Sequence, residues 1–113
     1  MVRLEIPLKA IPKGRPRSGK QGHFYTPSAT RDFETASSWY LREQYRDDPL
    51  TGKLNVTMLF YGNPRGDLDN LAKSVLDAAQ GIIFKNDSQI DDLWIRREKK
   101  KIDMILMLVE QRE

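Results

Sequence analysis

At 113 residues with 39% hydrophobic side chains, the chain supplies one domain, residues 1–113, built round one modest core. It has no cysteine, which excludes disulfide staples, thiolate metal sites and a cysteine nucleophile. The formal net charge of +3 hides an asymmetry: Ile6 to Arg31 holds six basic residues and no acid, so the remainder of the chain is net acidic. A basic arm beside an acidic remainder points to a polyanionic partner, although a basic loop is also an ordinary solvated surface. No apolar run approaches the roughly 20 residues of a bilayer span. Met1-Val2-Arg3-Leu4-Glu5 has no signal-peptide pattern. The expectation is a soluble, cytoplasmic protein with no membrane partner.

In chain order, Val2, Leu4, Ile6 and Leu8 alternate with polar residues and Pro7, the period of a half-buried strand at a sheet edge. Ala10 to Tyr25 holds two prolines and three glycines and reads as a long functional loop, neither helix nor regular strand. Its Lys13-Gly14-Arg15-Pro16-Arg17 and Lys20 combine guanidinium forks and ammonium groups with a restricted backbone, a composition suited to gripping phosphates. Phe24 and Tyr25 either anchor the loop to the core or stack on unpaired bases. His23, the one histidine, has no partner for metal or acid–base work and is assigned no chemistry.

Thr26-Pro27 has the form of a helix cap, with Ser28 as the alternative. Phe33, Ala36, Ser37, Tyr40, Leu41 and Gln44 then keep helical spacing to a predicted end near Arg46. Trp39 lies off that stripe and marks a second contact surface. Lys53 to Tyr61 alternates as a second strand, and Gly62-Asn63-Pro64-Arg65-Gly66 is a turn. The second helix has the cleanest pattern: Leu68, Leu71, Ala72, Val75, Leu76 and Ala79 form one stripe, and Gly81 closes it. Ile82-Ile83-Phe84 reads as a short extended piece before a polar turn at Lys85-Asn86-Asp87. A third strand runs from Gln89 toward Lys101. Arg96-Arg97-Glu98-Lys99-Lys100-Lys101 is a second basic patch, placed at a hairpin leading into Ile102–Val109. That last segment is apolar on both faces, as expected for a central strand or for one buried by a partner subunit. The predicted fold is α/β of the α+β type: a two-layer sandwich with two helices on one face of a mixed four-stranded sheet.

The chemistry gathers at Asp67, Asp69 and Lys73, with Asp87 beyond the second helix. Two hard carboxylates at the positive end of a helix dipole, with a third from a nearby turn, suit Mg²⁺, which takes few protein ligands and keeps waters and phosphate oxygens. Lys73 would point at the same site and neutralise a scissile phosphate or orient a water. The same residues also read as ordinary helix chemistry, with Asp67 as cap, Asp69–Lys73 as an i,i+4 pair and Lys73–Asp77 as another. Asp91 and Asp92 read as solvated.

Gly66-Asp67-Leu68-Asp69-Asn70-Leu71-Ala72-Lys73, Leu76-Asp77-Ala78 and Asn86-Asp87-Ser88-Gln89-Ile90 closely resemble the signature of the RusA family of Holliday-junction resolvases. Ile11-Pro12-Lys13-Gly14-Arg15-Pro16-Arg17 followed by Phe24-Tyr25-Thr26-Pro27 is similar to the opening of many members. The resemblance runs from about Pro7 to Ile90. It implies a homodimeric endodeoxyribonuclease that binds four-way DNA junctions and nicks two opposing strands with Mg²⁺. Its essential acids map onto Asp67, Asp69 and Asp87, which would carry the metal, and its essential lysine onto Lys73. The family commonly has two adjacent aspartates where this chain has Asn86-Asp87, and the Asp-x-Gln spacing aligns the essential acid with Asp87. Lys13, Arg15, Arg17, Lys20, Arg65, Arg96, Lys99 and Lys100 are the candidate DNA contacts, with binding that weakens steeply in salt. Two rivals remain at this point: a non-catalytic nucleic-acid-binding dimer, and a metal nuclease for flaps, forks or RNA hybrids.

Overall fold

The computed structural model describes residues 1–14, 17–18, 24–25 and 28–112. Strands β1 (Val2–Ile6), β2 (Arg17–Ser18) and β3 (Phe24–Tyr25) precede helix α1 (Ser28–Gln44). Strand β4 (Leu54–Tyr61), helix α2 (Leu68–Ala79), a 3₁₀ turn (Asp87–Gln89), β5 (Ile90–Glu98) and β6 (Met104–Gln111) follow. The main sheet has the order β1-β6-β4-β5, with β4 and β5 parallel and the other pairs antiparallel. The expected mixed four-stranded sheet with two helices is what the chain forms.

Strict alternation builds the core. Leu54, Val56, Met58 and Phe60 of β4 are buried, and the ladder sets them beside Val109, Met107 and Ile105 of β6. Leu4 and Ile6 of β1 continue the same layer. Phe33 and Leu41 of α1 and Leu71, Ala72, Val75 and Ala79 of α2 close over it. Among the described residues no helix covers the opposite sheet face. There Leu106 and half-buried Leu59 and Leu108 adjoin the exposed Trp94. No helix among the described residues is long and apolar enough to cross a membrane.

β1 is an edge strand that ends before Pro7, as its alternation predicted. The Gln44 side chain covers its free edge: Oε1 accepts from the Glu5 amide at 2.8 Å and Nε2 donates to the Glu5 carbonyl at 2.6 Å. Unpaired edge groups are an aggregation hazard, and this side-chain bracket removes one pair of them.

Three expectations need correction. The predicted hairpin between β5 and β6 does not exist, because β4 lies between them and residues 99–103 pass across its end. The reason lies in burial: β6 is apolar on both faces and takes an inner place, while β5, with Asp91, Asp92, Trp94 and Arg96 exposed, takes the edge. Ile82-Ile83 is a turn, and the extended piece shrinks to Phe84, which bridges Leu50 and Gln80; the Ile83 carbonyl accepts from the Leu50 amide at 2.7 Å, and Ile83 and Phe84 are buried. Within the long loop, β2 and β3 pair antiparallel, with Arg17 opposite Tyr25, so part of it is regular after all. Arg15, Lys20, His23, Thr26-Pro27 and the side chains of Arg17, Phe24 and Tyr25 lie outside the described residues.

Candidate active site

Asp67 stands at the N-cap of α2 with extended backbone, yet its side chain makes no capping hydrogen bond. Only its carbonyl serves the helix, accepting from the Leu71 amide at 3.0 Å. Asp69, in the first turn, is likewise exposed. Among the described residues neither carboxylate is paired, so two negative charges project into solvent at the positive end of α2. Neither the cap nor the Asp69–Lys73 pair accounts for them.

Lys73 turns the other way along the helix. Its Nζ lies 2.9 Å from Asp77 Oδ1 and 3.2 Å from Asp87 Oδ2. The other Asp77 oxygen, Oδ2, lies 3.0 Å from the Nζ of Lys13, which in turn is 2.7 Å from Glu34 Oε1 on α1. Five charged side chains thus form one chain across both helices, the root of the basic loop and the 3₁₀ turn. The turn itself is tightly made. The Asp87 amide donates to Gln80 Oε1 at 3.2 Å, and Asn86 Oδ1 accepts from the Ser88 amide at 2.9 Å. Gln89 Oε1 accepts from the Asn86 amide, and its Nε2 donates to the Leu50 and Gly52 carbonyls, each at 3.0 Å. Asn86 and Gln89 therefore shape the turn that presents Asp87.

Burial pushes the Asp77 carboxyl up, but the hydrogen bonds and charges of Lys73 and Lys13 outweigh it and hold the group below its ordinary 3.8. For Lys73 the hydrogen bond to Asp77 is the largest influence; it and Asp87 outweigh burial and raise the ammonium above 10.5. For Lys13 burial pulls down hardest, and Glu34 and Asp77 together reverse it. A depressed acid stabilises the fold above its unfolded value and loses that as pH falls through the folded one. A raised lysine stabilises below its unfolded value and loses that as pH rises through the folded one. The network is therefore complete from about pH 4 to about pH 10. Lys13→Met should lower the melting temperature at pH 7, and the gap between variant and wild type should narrow as pH falls below the ordinary carboxylate value and Asp77 gains a proton.

The basic residues divide into two kinds. Lys13 is only a quarter exposed and already paired, and its amide donates to the Asn70 carbonyl at 2.9 Å. Nearby, Ser74 Oγ donates to the Ile11 carbonyl at 2.7 Å and the Gly14 amide donates to Thr30 Oγ1 at 3.1 Å. Gly66, at φ 105°, leaves no room for a Cβ because Pro12 occupies that space at 2.9 Å. The loop's root is thus stitched along α2. Arg65, Lys99 and Lys100 are exposed, and Arg96 is exposed beside Glu98 at 3.2 Å. Gly62 packs against Asp103, which brings the 99–103 connection beside the turn that carries Arg65. This end of the sheet, where the parallel β4 and β5 finish, is the usual side for a site in such an arrangement.

A family model described as Endodeoxyribonuclease RusA matches residues 7–105 of this chain. The chain belongs to the RusA family. A relative, the crossover junction endodeoxyribonuclease RusA of Aquifex aeolicus (strain VF5), is 30% identical over 96 residues, covering 79% of this chain and 74% of the relative. The matched span contains every acid of the RusA-like motif and both sides of the Lys73 network.

RusA-type chemistry calls for a divalent ion, and the donor set fits one. Asp67 and Asp69 are hard, exposed and unpaired oxygen donors, and Mg²⁺ needs only one or two protein carboxylates. A cage of three is a different matter: among the described residues no three His, Cys, Asp or Glu side chains converge on one metal position. The structure brings Lys73, Asp77 and Asp87 together, and leaves Asp67 and Asp69 on the turn before them. Sequence reasoning missed Arg97 as a site neighbour. Its guanidinium donates to the Gly66 carbonyl, directly before Asp67, while its Nε is buried without a partner among the described residues. The available signal was strand alternation, which sets Arg97 on the same face as Leu93 and Ile95, toward the helices.

Proposed function

We propose that this chain is a Mg²⁺-dependent crossover-junction endodeoxyribonuclease, cytoplasmic and homodimeric, that resolves four-way DNA by paired nicks. The observation that carries this reading is the contact between Lys73 and Asp87, which joins the two separated halves of the RusA motif on one side of α2. Asp67 and Asp69 are the residues that would hold the ion, with Asp87 kept at Lys73; bound there, the ion would supply charge neutralisation and a more acidic water for phosphodiester hydrolysis. Lys73 holds a positive charge next to Asp87 and one helical turn after Asp69, where a scissile phosphate would need one. Arg65, Arg96, Lys99 and Lys100 contact flanking phosphates, and the basic loop with Arg15, Arg17 and Lys20 grips a second stretch of backbone. A two-fold dimer matches the pseudo-symmetry of a junction. The helix-free sheet face, with Leu59, Leu106, Leu108 and Trp94, supports placing the second copy there.

The test is cleavage of a synthetic four-way junction beside linear duplex, flap, fork and RNA–DNA hybrid substrates, with Mg²⁺ and with chelator. Paired nicks confined to the junction and dependent on Mg²⁺ are expected, from a species that sediments at twice the chain mass. Binding without nicking of any substrate would instead make this a non-catalytic DNA-binding protein. Equal cutting of flaps or hybrids would assign it another substrate.

A further inference from the structure

Asp77 belongs to no pair of metal-binding acids, yet it is the middle of the five-residue charge chain. Its side chain is 17% exposed, against 49% for Lys73 and 33% for Asp87. Each of its two oxygens holds a different lysine, at 2.9 and 3.0 Å. One of those lysines is the motif lysine. The other roots the basic loop, and its amide is bonded to the Asn70 carbonyl of the same helix.

We propose that Asp77 is a positioning residue for strand cutting: Oδ1 fixes the Lys73 ammonium beside Asp87, and Oδ2 locks the loop root to α2 through Lys13. This rests on the nuclease reading above and deepens it. A lysine carries a long flexible stem and a strongly hydrated head, so it keeps one direction only when anions hold it there. Lys73 has two such holders. Asp87 is the more exposed one and is itself a candidate for other duties at the site. Asp77 is the less exposed one, lies on the same helix at i+4, and has the shorter contact. Its attachment to Lys13, itself held by Glu34, keeps it from following Lys73 into solvent. The arrangement therefore gives Lys73 a fixed origin whatever Asp87 binds.

The experiment compares wild type with Asp77→Asn, Asp77→Glu and Lys13→Met, using Asp67→Asn and Lys73→Ala as controls. Single-turnover nicking of the junction is measured at saturating enzyme with Mg²⁺, junction affinity is measured in chelator, and each protein is melted. Asp77→Asn should lower the nicking rate at least about tenfold while junction affinity stays within about threefold. Asp77→Glu should recover part of that rate, because the anion is restored one methylene further out. Lys13→Met should lower affinity, since it loosens the loop, and should lower the nicking rate less than Asp77→Asn does, since Asp77 loses its anchor but keeps its contact with Lys73. Asp77→Asn nicking at the wild-type rate while both controls are dead would overturn the proposal alone. A parallel fall in rate, affinity and melting temperature, with no recovery in Asp77→Glu, would reduce Asp77 to a structural ion pair and also overturn it. Wild-type nicking by Asp67→Asn and Lys73→Ala would instead remove the nuclease reading itself, and the proposal with it.

Discussion

Asp67→Asn and Asp87→Asn should each lower Mg²⁺-dependent nicking of a four-way junction by roughly a thousandfold or more, while junction binding in chelator is retained. The substitution keeps side-chain shape and removes one negative charge. At position 67 the carboxylate makes no cap bond and no ion pair among the described residues, so the substitution breaks no contact described for the fold. At position 87 it removes one of two partners from Lys73 and leaves Asp77 in place. Binding should survive both changes because the phosphate contacts proposed above come from other residues. A gel-shift titration beside a nicking time course reads both quantities. Wild-type nicking by either variant would end the catalytic assignment of that acid.

Phe60→Ala should cost about 3–5 kcal/mol of stability, the usual range for removing a buried phenyl ring and leaving a cavity. Phe60 is fully buried near the end of β4, between Ile105 on one neighbour and Arg97 on the other. A domain of this size has about 5–15 kcal/mol in total, so the loss is a large fraction of it. Chemical denaturation at fixed protein concentration, which keeps any dimerisation equilibrium constant, measures the difference. The turn that carries Asp67 begins just after β4, so nicking should fall in step with the folded fraction. A loss below about 1 kcal/mol would contradict the packing described for this layer.

Much of this architecture was legible in the chain. β4 declared itself because its alternation is unbroken over eight residues, and α2 because its apolar stripe and closing glycine agree with each other. The position of β6 was legible too, in its apolarity on both faces. What failed was the step from neighbours in sequence to neighbours in the sheet, since nothing local in residues 99–103 says that they pass over β4. The motif located Asp67, Asp69, Lys73 and Asp87, but spacing could not orient Lys73. Asp69 and Asp77 stand at equal distances on either side of it, and an acid four residues before a lysine is the pairing that isolated helices favour. The structure chooses Asp77, because Lys13 and Asp87 gather there from positions 64 and 10 residues away in sequence. Such contacts are set by the fold. The guanidinium of Arg97 under the Gly66 carbonyl, 31 residues away, has the same origin.

The place of β6 between β1 and β4 also bears on how the chain acquires its shape. β6 follows every other strand of the main sheet in the sequence, and β1 has no other partner in that sheet. Val2 meets Val109 across this ladder, so the first strand must wait, unpaired, for residues more than a hundred positions later. Closing so large a loop is entropically slow, and topologies dominated by distant pairings fold slowly for that reason. During synthesis the earlier elements can form a β4–α2–β5 unit, but the sheet stays incomplete until its innermost antiparallel strand arrives.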